Sequence, residues 1–179
     1  MSKKFINILI IILGIVFVLL GVASFFTESL IFRLEGGGNA TALKNPVIGL
    51  SDEEAAEQFD ETFVRYLLYN IGARNLHNPP FSSDTPKIVI YVDELIFNAE
   101  VTKGKILVKR AELESEDIII KTTKTEAVRM MRDKSYVEES FKRGSSNIEL
   151  VASKTRLFAK GYAKIYTTVT GKTVAENKG

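Results

Sequence analysis

The sequence predicts one α+β domain behind an N-terminal transmembrane helix. Three observations lead to this prediction: a long uncharged run near the N-terminus, a capped amphipathic helix after it, and short apolar segments joined by tight turns. Each pattern reflects the period at which side chains return to one face of a helix or a strand. We therefore expect a single transmembrane helix followed by a mainly antiparallel sheet that is packed by amphipathic helices.

The uncharged run extends from Phe5 to Phe26. A helix of this length rises roughly 33 Å, which is enough to cross a hydrocarbon core of about 30 Å. A cleaved secretory signal is the alternative, since two lysines precede the run and small residues occur near its end, but signal peptides have shorter apolar regions. The length favours an uncleaved anchor, residues 1–35, which contacts the membrane bilayer through residues 5–26.

The charges beside the run predict its orientation. Lys3, Lys4 and the amino terminus outweigh the flank from Arg33 to Glu35, so the positive-inside rule places the N-terminus in the cytoplasm. We expect a single-pass membrane protein with its domain outside. Three consecutive glycines end the helix, and residues 36–50 are predicted to form a flexible tether.

Composition argues against several classes of function. Lys plus Arg is 24 and Asp plus Glu is 22, and this balance does not suit nucleic-acid binding. Cysteine is absent, and the single histidine, His77, lies in a loop sequence without nearby carboxylates at ligand spacing. The acidic residues from Glu112 to Asp117 are interpreted as an exposed turn. Without a phosphate loop or a nucleophile motif, we expect no enzyme activity, no metal site and no cofactor.

The folded domain is predicted to span residues 51–174, with 175–179 as a tail. Its first helix begins at a capping box, Ser51-Asp52-Glu53-Glu54, in which the serine and the last glutamate satisfy each other's backbone N–H groups. Apolar residues then recur at helical spacing as far as Ile71. The pattern predicts one amphipathic helix that ends near Gly72.

The period of the apolar residues changes to two at Lys87, which indicates β-strands. A turn at Asp93-Glu94 separates the first strand from a second over 95–101, and the turn 102–105 leads to a third over 106–108. A further apolar run covers 118–120. Short connections of this kind predict a mostly antiparallel meander.

Helices and one strand are predicted for the rest of the domain. Thr125 is a candidate cap for the next helix, a short helix follows over 136–141, and residues 148–151 can return to the sheet. Over 154–169 apolar residues recur at i,i+4 spacing, which favours a helix whose polar side includes Lys160. A β-prone stretch near its end leaves a strand as the alternative.

Three stretches of this order resemble the sterol carrier protein family of lipid-binding domains. They read KIVIYVDELIFNAEVTKGKILV, EDIIIKTTKTEAVRMM and YVEESFKRGSSNIELVASKTRLFAKGYAKI. The first is similar to the family's opening meander with its turn glycine, and the second to a strand followed by a Thr- or Ser-capped helix. The third is similar to its last strand and helix. The family's glycine between that strand and that helix is replaced here by Ser153-Lys154.

The resemblance implies an apolar tunnel between the sheet and the C-terminal helix that takes up a lipid ligand. It implies no catalytic residue. The function expected is the binding or transfer of lipid by a membrane-anchored domain, and the alternative is a structural or assembly module of the cell envelope that binds a protein partner. The positions carried over to the pocket are all apolar or aromatic: Phe97, Met130, Met131, Phe141, Leu157, Phe158, Tyr162 and Ile165.

Overall fold

The computed structural model describes residues 43–111 and 115–174. Among these residues, no helix combines the length and the apolar content needed to cross a bilayer. The run from Phe5 to Phe26, and with it the predicted anchor, lies outside the described residues, as does the tail 175–179. The anchor and its orientation therefore stay predictions.

Five strands form one sheet. They are β1 (Lys87–Val92), β2 (Leu95–Thr102), β3 (Lys105–Lys109), β4 (Ile118–Thr122) and β5 (Asn147–Leu150). The first turn is the predicted one, with Asp93 in the left-handed region at a φ of 51°. Strand β3 alternates exposed and buried residues, as a half-buried strand at a sheet edge should. The predicted α+β domain with strands 87–109 in a meander is confirmed.

The strand order is β3-β2-β1-β4-β5. Three neighbouring pairs are antiparallel, but β4 lies parallel to β1, with Ile88 opposite Ile118 and Ile90 opposite Ile120. The sheet is therefore mixed rather than a simple meander. The chain leaves the edge strand β3 and crosses to the free side of β1, where Ile118 and Ile120 of β4 become buried.

The predicted first helix is two helices, α1 (Asp52–Glu57) and α2 (Glu61–Asn70). The capping box at Ser51 is confirmed, with both of its hydrogen bonds present. The single long helix is wrong because Asp60 is extended and its carboxylate accepts from the N–H groups of Thr62 and Phe63. An N-cap of this kind starts a new helix.

Residues 44–50, which the sequence analysis placed in the tether, pack against the domain. Val47 is 1% exposed, and the Asn45 side chain donates to the Met131 carbonyl oxygen at 2.9 Å. The Arg132 guanidinium donates to the carbonyl oxygen of Leu50 at 2.7 Å. The packed part of the chain thus begins before residue 51.

Two helices follow β4: α3 (Lys124–Arg132) and α4 (Tyr136–Lys142). The cap of α3 is Thr123, whose hydroxyl accepts from the N–H of Glu126, so the cap predicted at Thr125 is displaced by two residues. Helix α4 is the predicted short helix. Gly144 ends it in the left-handed conformation that glycine adopts without steric cost.

The C-terminal segment is helical, so the strand alternative is wrong. It forms two helices, α5 (Lys154–Ala159) and α6 (Tyr162–Thr170), rather than one. Gly161 separates them with a φ of 85°, which breaks the helical path and starts α6 in a new direction. A single i,i+4 stripe therefore does not describe the whole segment.

Candidate functional site

A cleft of about 240 Å³ lies between helix α4, the edge strand β5 and helix α6. Its apolar wall comes from three residues, each from a different element: Phe141, Ile148 and Tyr166. The other lining residues are polar: Lys142, Ser146, Asn147, Thr170 and Lys172. We refer to these eight residues as the α4–β5–α6 cleft.

The two lysines of the cleft differ in their surroundings. Lys142 forms an ion pair with Glu138 one helical turn earlier, at 2.5 Å. Lys172 has no ion pair with any described residue, and no carboxylate lines the cleft. Lys172 consequently supplies a positive charge, unpaired among the described residues, beside the apolar wall of the cleft. Such a combination suits a ligand with an anionic group at one end.

A chain of buried hydroxyl groups connects the cleft to a carboxylate. The Thr122 hydroxyl is 2.7 Å from that of Ser146, which is 2.8 Å from that of Ser140. Ser140 donates to the Glu126 carboxylate at 2.6 Å. Because an ionised carboxylate only accepts, each hydroxyl in turn donates toward Glu126. The chain fixes Ser146 and so the polar floor of the cleft.

The carboxylate of Glu126 has further partners on its outer side. The Tyr136 hydroxyl donates to both of its oxygens, at 3.2 and 3.1 Å. The Arg143 guanidinium contacts Tyr136 and lies 3.5 Å from the same carboxylate. Glu126 is therefore a paired buried charge, and its contacts describe a structural group that joins α3 to α4.

The structure divides the predicted pocket residues into three groups. Six lie in the buried core: Phe97, Met130, Met131, Leu157, Tyr162 and Ile165. Phe141 is half-buried and lines the α4–β5–α6 cleft. Phe158 is 54% exposed. The prediction treated 154–169 as one helix with a single apolar face, but the break at Gly161 separates α5 from α6, so α5 buries another face. The role of these residues in ligand binding stays a prediction.

The burial of Lys160 differs most from the prediction. This residue was assigned to the polar side of a helix, yet its side chain is 0% exposed. Its ammonium group lies 3.0 and 2.9 Å from the two oxygens of Asp117, which is also fully buried. It donates as well to Asp84 at 2.8 Å and to the Thr85 carbonyl oxygen at 2.9 Å.

Asp117 connects this cluster to the sheet. Its carboxylate accepts from the backbone N–H of Lys87 at 2.8 Å and from the Tyr162 hydroxyl at 3.1 Å. Arg156 Nε lies 3.0 Å from the same carboxylate but is not aligned for a hydrogen bond. The carboxylate that the sequence placed in an exposed turn is therefore the buried centre of a group that holds α5 and α6 to β1 and β4.

The environment of this cluster changes the pKa of two of its members. Burial, reinforced by the Asp117 charge, raises the pKa of the Tyr162 hydroxyl, so this group stays neutral. The hydrogen bond from Lys160 is the main cause that lowers the pKa of Asp84, which stays ionised. The Lys160 ammonium and the Tyr162 hydroxyl both donate to acceptors within the cluster, and the arrangement is that of a structural ion-pair group.

The remaining cleft residues show what the sequence did and did not indicate. Ser146, Asn147, Thr170 and Lys172 carried no local signal, because their meeting depends on how β5 and α6 pack. Tyr166 lies in the stretch 154–169 that was predicted to be helical, but the spacing within that stretch does not indicate its neighbours across the cleft. Within residues 43–111 and 115–174, no group of three or more histidine, aspartate and glutamate side chains is placed to hold a metal ion.

The sequence matches no protein-family model, and no curated protein matches it. Among solved structures, it is similar to one titled "UbiJ-SCP2 Ubiquinone synthesis protein". That comparison has a TM-score of 0.34 and 12% identity and covers 60% of this chain and 83% of the other. It is also similar to Sterol Carrier Protein 2 Like 2 from Aedes aegypti, with a TM-score of 0.32 and 16% identity over 56% and 94% of the two chains.

Both titles carry the name SCP2. Because both TM-scores are below 0.5, we draw neither the fold nor a ligand from these two structures. The geometry of the cleft must support any function on its own.

Proposed function

We propose that this protein binds an amphiphilic lipid in the α4–β5–α6 cleft, and that its N-terminal anchor keeps the cleft close to the bilayer that supplies the ligand. The protein acts by binding, without a chemical step. The observation that carries the proposal is the cleft itself, which combines an apolar wall of Phe141, Ile148 and Tyr166 with Lys172, a cation that has no ion pair with any described residue. A fatty acid or a related lipid has the matching chemistry.

The size of the cleft defines which part of the ligand it holds. Sites that enclose a drug-sized molecule have volumes of roughly 300–1,000 Å³. The cleft, at about 240 Å³, is smaller. We infer that it binds the head and the first part of an acyl chain, while the rest of the chain stays near the membrane surface.

The alternative function, a module that binds a protein partner at a sheet edge, has less support. The edge strand β3 begins and ends with the exposed residues Lys105 and Lys109. Lysines on an edge strand disfavour pairing with a further strand. The β5 edge borders the cleft, where a lipid would occupy the same space.

Methyl NMR tests the proposal in the full chain, labelled with ¹³C-methyl groups and held in detergent micelles. Addition of lauric acid is expected to shift the Ile148 methyl signals saturably. The exposed Leu107 on β3 serves as the control, because any effect of the micelle itself reaches both residues. Equal responses at the two positions would sink the proposal.

Two matched tryptophan variants complete this test. Asn147 lines the cleft from an exposed strand position, so Asn147→Trp places a bulky side chain in the mouth without removing a core residue. We expect about tenfold weaker binding, equivalent to about 1.4 kcal/mol. Leu107→Trp, at 56% exposure on the opposite edge, should bind as the unmodified chain does. Unchanged affinity in Asn147→Trp would contradict the assigned site.

A further inference from the structure

A second cleft, of about 270 Å³, lies at the end of α2 and beside α6. Its charged residues are three cations, Arg74, Lys134 and Lys164. The remaining lining residues are Tyr69, Asn70, Ile71, Gly72, Asn75 and Thr168. No aspartate or glutamate is among the described residues that line it. We call this site the basic cleft.

Helix α6 separates the two clefts. Lys164 and Thr168 line the basic cleft, whereas Tyr166 and Thr170 line the first one. Residues two positions apart on a helix point about 200° apart, so each pair occupies its own side of α6. A ligand in the basic cleft is therefore distinct from the lipid of the proposed function.

The cations of the basic cleft lack carboxylate partners. Arg74 donates to the Tyr69 hydroxyl at 3.1 Å and lies over the same ring at 5.2 Å, which fixes its guanidinium at the cleft wall. In the part of the chain that the structure describes, none of the three cations forms an ion pair. Three like charges around one concave space repel each other until an anion enters.

We propose that the basic cleft binds a phosphate monoester group. A dianionic phosphate offers three acceptor oxygens, which match one guanidinium and two ammonium groups. Asn70 and Asn75 also line the cleft, and their side-chain amides are further donors, although Asn75 Nδ2 already donates one of its two N–H groups to the Gly72 carbonyl oxygen at 3.1 Å. A phosphorylated lipid head and a soluble phosphorylated metabolite share this chemistry. Three charge-assisted contacts correspond to a Kd of about 1 mM.

The experiment is a titration of the ¹⁵N-labelled full chain in zwitterionic detergent micelles, read at the amide signals of Gly72 and Asn75. The probes are inorganic phosphate, glycerol phosphate and dihexanoyl phosphatidic acid, with potassium chloride and acetate at equal ionic strength as controls. We expect saturable shifts with the phosphate probes alone. Equal shifts with acetate or chloride would overturn the proposal.

The variant Lys134→Gln/Lys164→Gln is expected to bind each phosphate probe at least tenfold more weakly. Lys105→Gln/Lys109→Gln, which removes the same charge from the exposed face of β3, should bind as the unmodified chain does. Equal weakening in both variants would show an effect of net charge and would contradict the site. Phosphatidic acid and glycerol phosphate separate the two possible ligands. If phosphatidic acid binds more than tenfold tighter, and this difference requires Lys134 and Lys164, the phosphate group that the cleft binds belongs to a lipid head. Equal affinities identify a soluble phosphate ester.

Discussion

Replacement of Lys160 by methionine tests how much the buried ion-pair group stabilises the domain. The variant keeps a side chain of similar length but removes the ammonium group, which makes four contacts of 2.8 to 3.0 Å with Asp84, Thr85 and Asp117. The Asp117 carboxylate stays fully buried. Removal of one partner from a buried pair costs about 3–5 kcal/mol because the other charge remains without compensation.

The structure places the expected loss for Lys160→Met near the lower end of that range, at about 3 kcal/mol. Asp117 keeps the backbone N–H of Lys87 and the hydroxyl of Tyr162 as donors, and Arg156 Nε remains 3.0 Å away. A loss of this size is a large fraction of the roughly 5–15 kcal/mol by which domains are stable.

Urea unfolding of the full chain in micelles, followed by far-ultraviolet circular dichroism, measures this loss. Lys109→Met is the control for loss of an exposed charge and should change the free energy of unfolding by no more than about 0.5 kcal/mol. In Lys160→Met/Asp117→Asn the uncompensated charge is gone, so the double variant should be more stable than the sum of the single losses by about 1–3 kcal/mol. Additive losses, or a loss below about 1 kcal/mol for Lys160→Met, would refute the reasoning.

Two further predictions concern the same end of the domain. Because Gly161 has a φ of 85°, Gly161→Val should lower the free energy of unfolding by about 1–3 kcal/mol. Gly161→Asn should lower it clearly less, since asparagine tolerates this conformation. Equal changes in Tm for the two variants would show that the backbone conformation is not the cause. Burial raises the pKa of Tyr162 in the folded chain, so its contribution to stability is complete below the unfolded pKa of about 10 and falls as pH rises above it. The unfolding free energy of Tyr162→Phe should therefore fall less steeply with pH than that of the unmodified chain between about pH 9 and 11. An equally steep fall in this variant would show that Tyr162 is not the cause of the pH dependence.

Local patterns in the sequence predict most of the helices and strands, but they predict few of the contacts between these elements. The capping box at Ser51, the turn at Asp93 and the period-two strands are determined by neighbouring residues, and the structure confirms them. The parallel pairing of β4 with β1 could not be predicted, because it depends on which side of β1 remains free once the meander has formed. The break at Asp60 was not predicted, because the helical spacing of the apolar residues continues through it and does not reveal that its carboxylate caps a new helix.

The site was harder to predict for a physical reason. Lys160 and Asp117 are 43 residues apart, and each alone has the appearance of a solvated surface charge. Their burial is possible only because α5 and α6 bring them together, which no local period reports. The α4–β5–α6 cleft likewise requires residues from three elements, of which Phe141 alone was among the predicted pocket residues.

Photolabelling with a diazirine fatty acid tests the proposed lipid site most directly. The full chain in micelles is irradiated with the bound probe, digested and mapped by mass spectrometry. We predict that labelled peptides include Phe141, Ile148 or Tyr166, and that Asn147→Trp reduces their labelling while labelling of the run from Phe5 to Phe26 is unchanged. Label confined to that run, or equal labelling of the cleft peptides in the variant, would contradict the assignment of the lipid to the cleft.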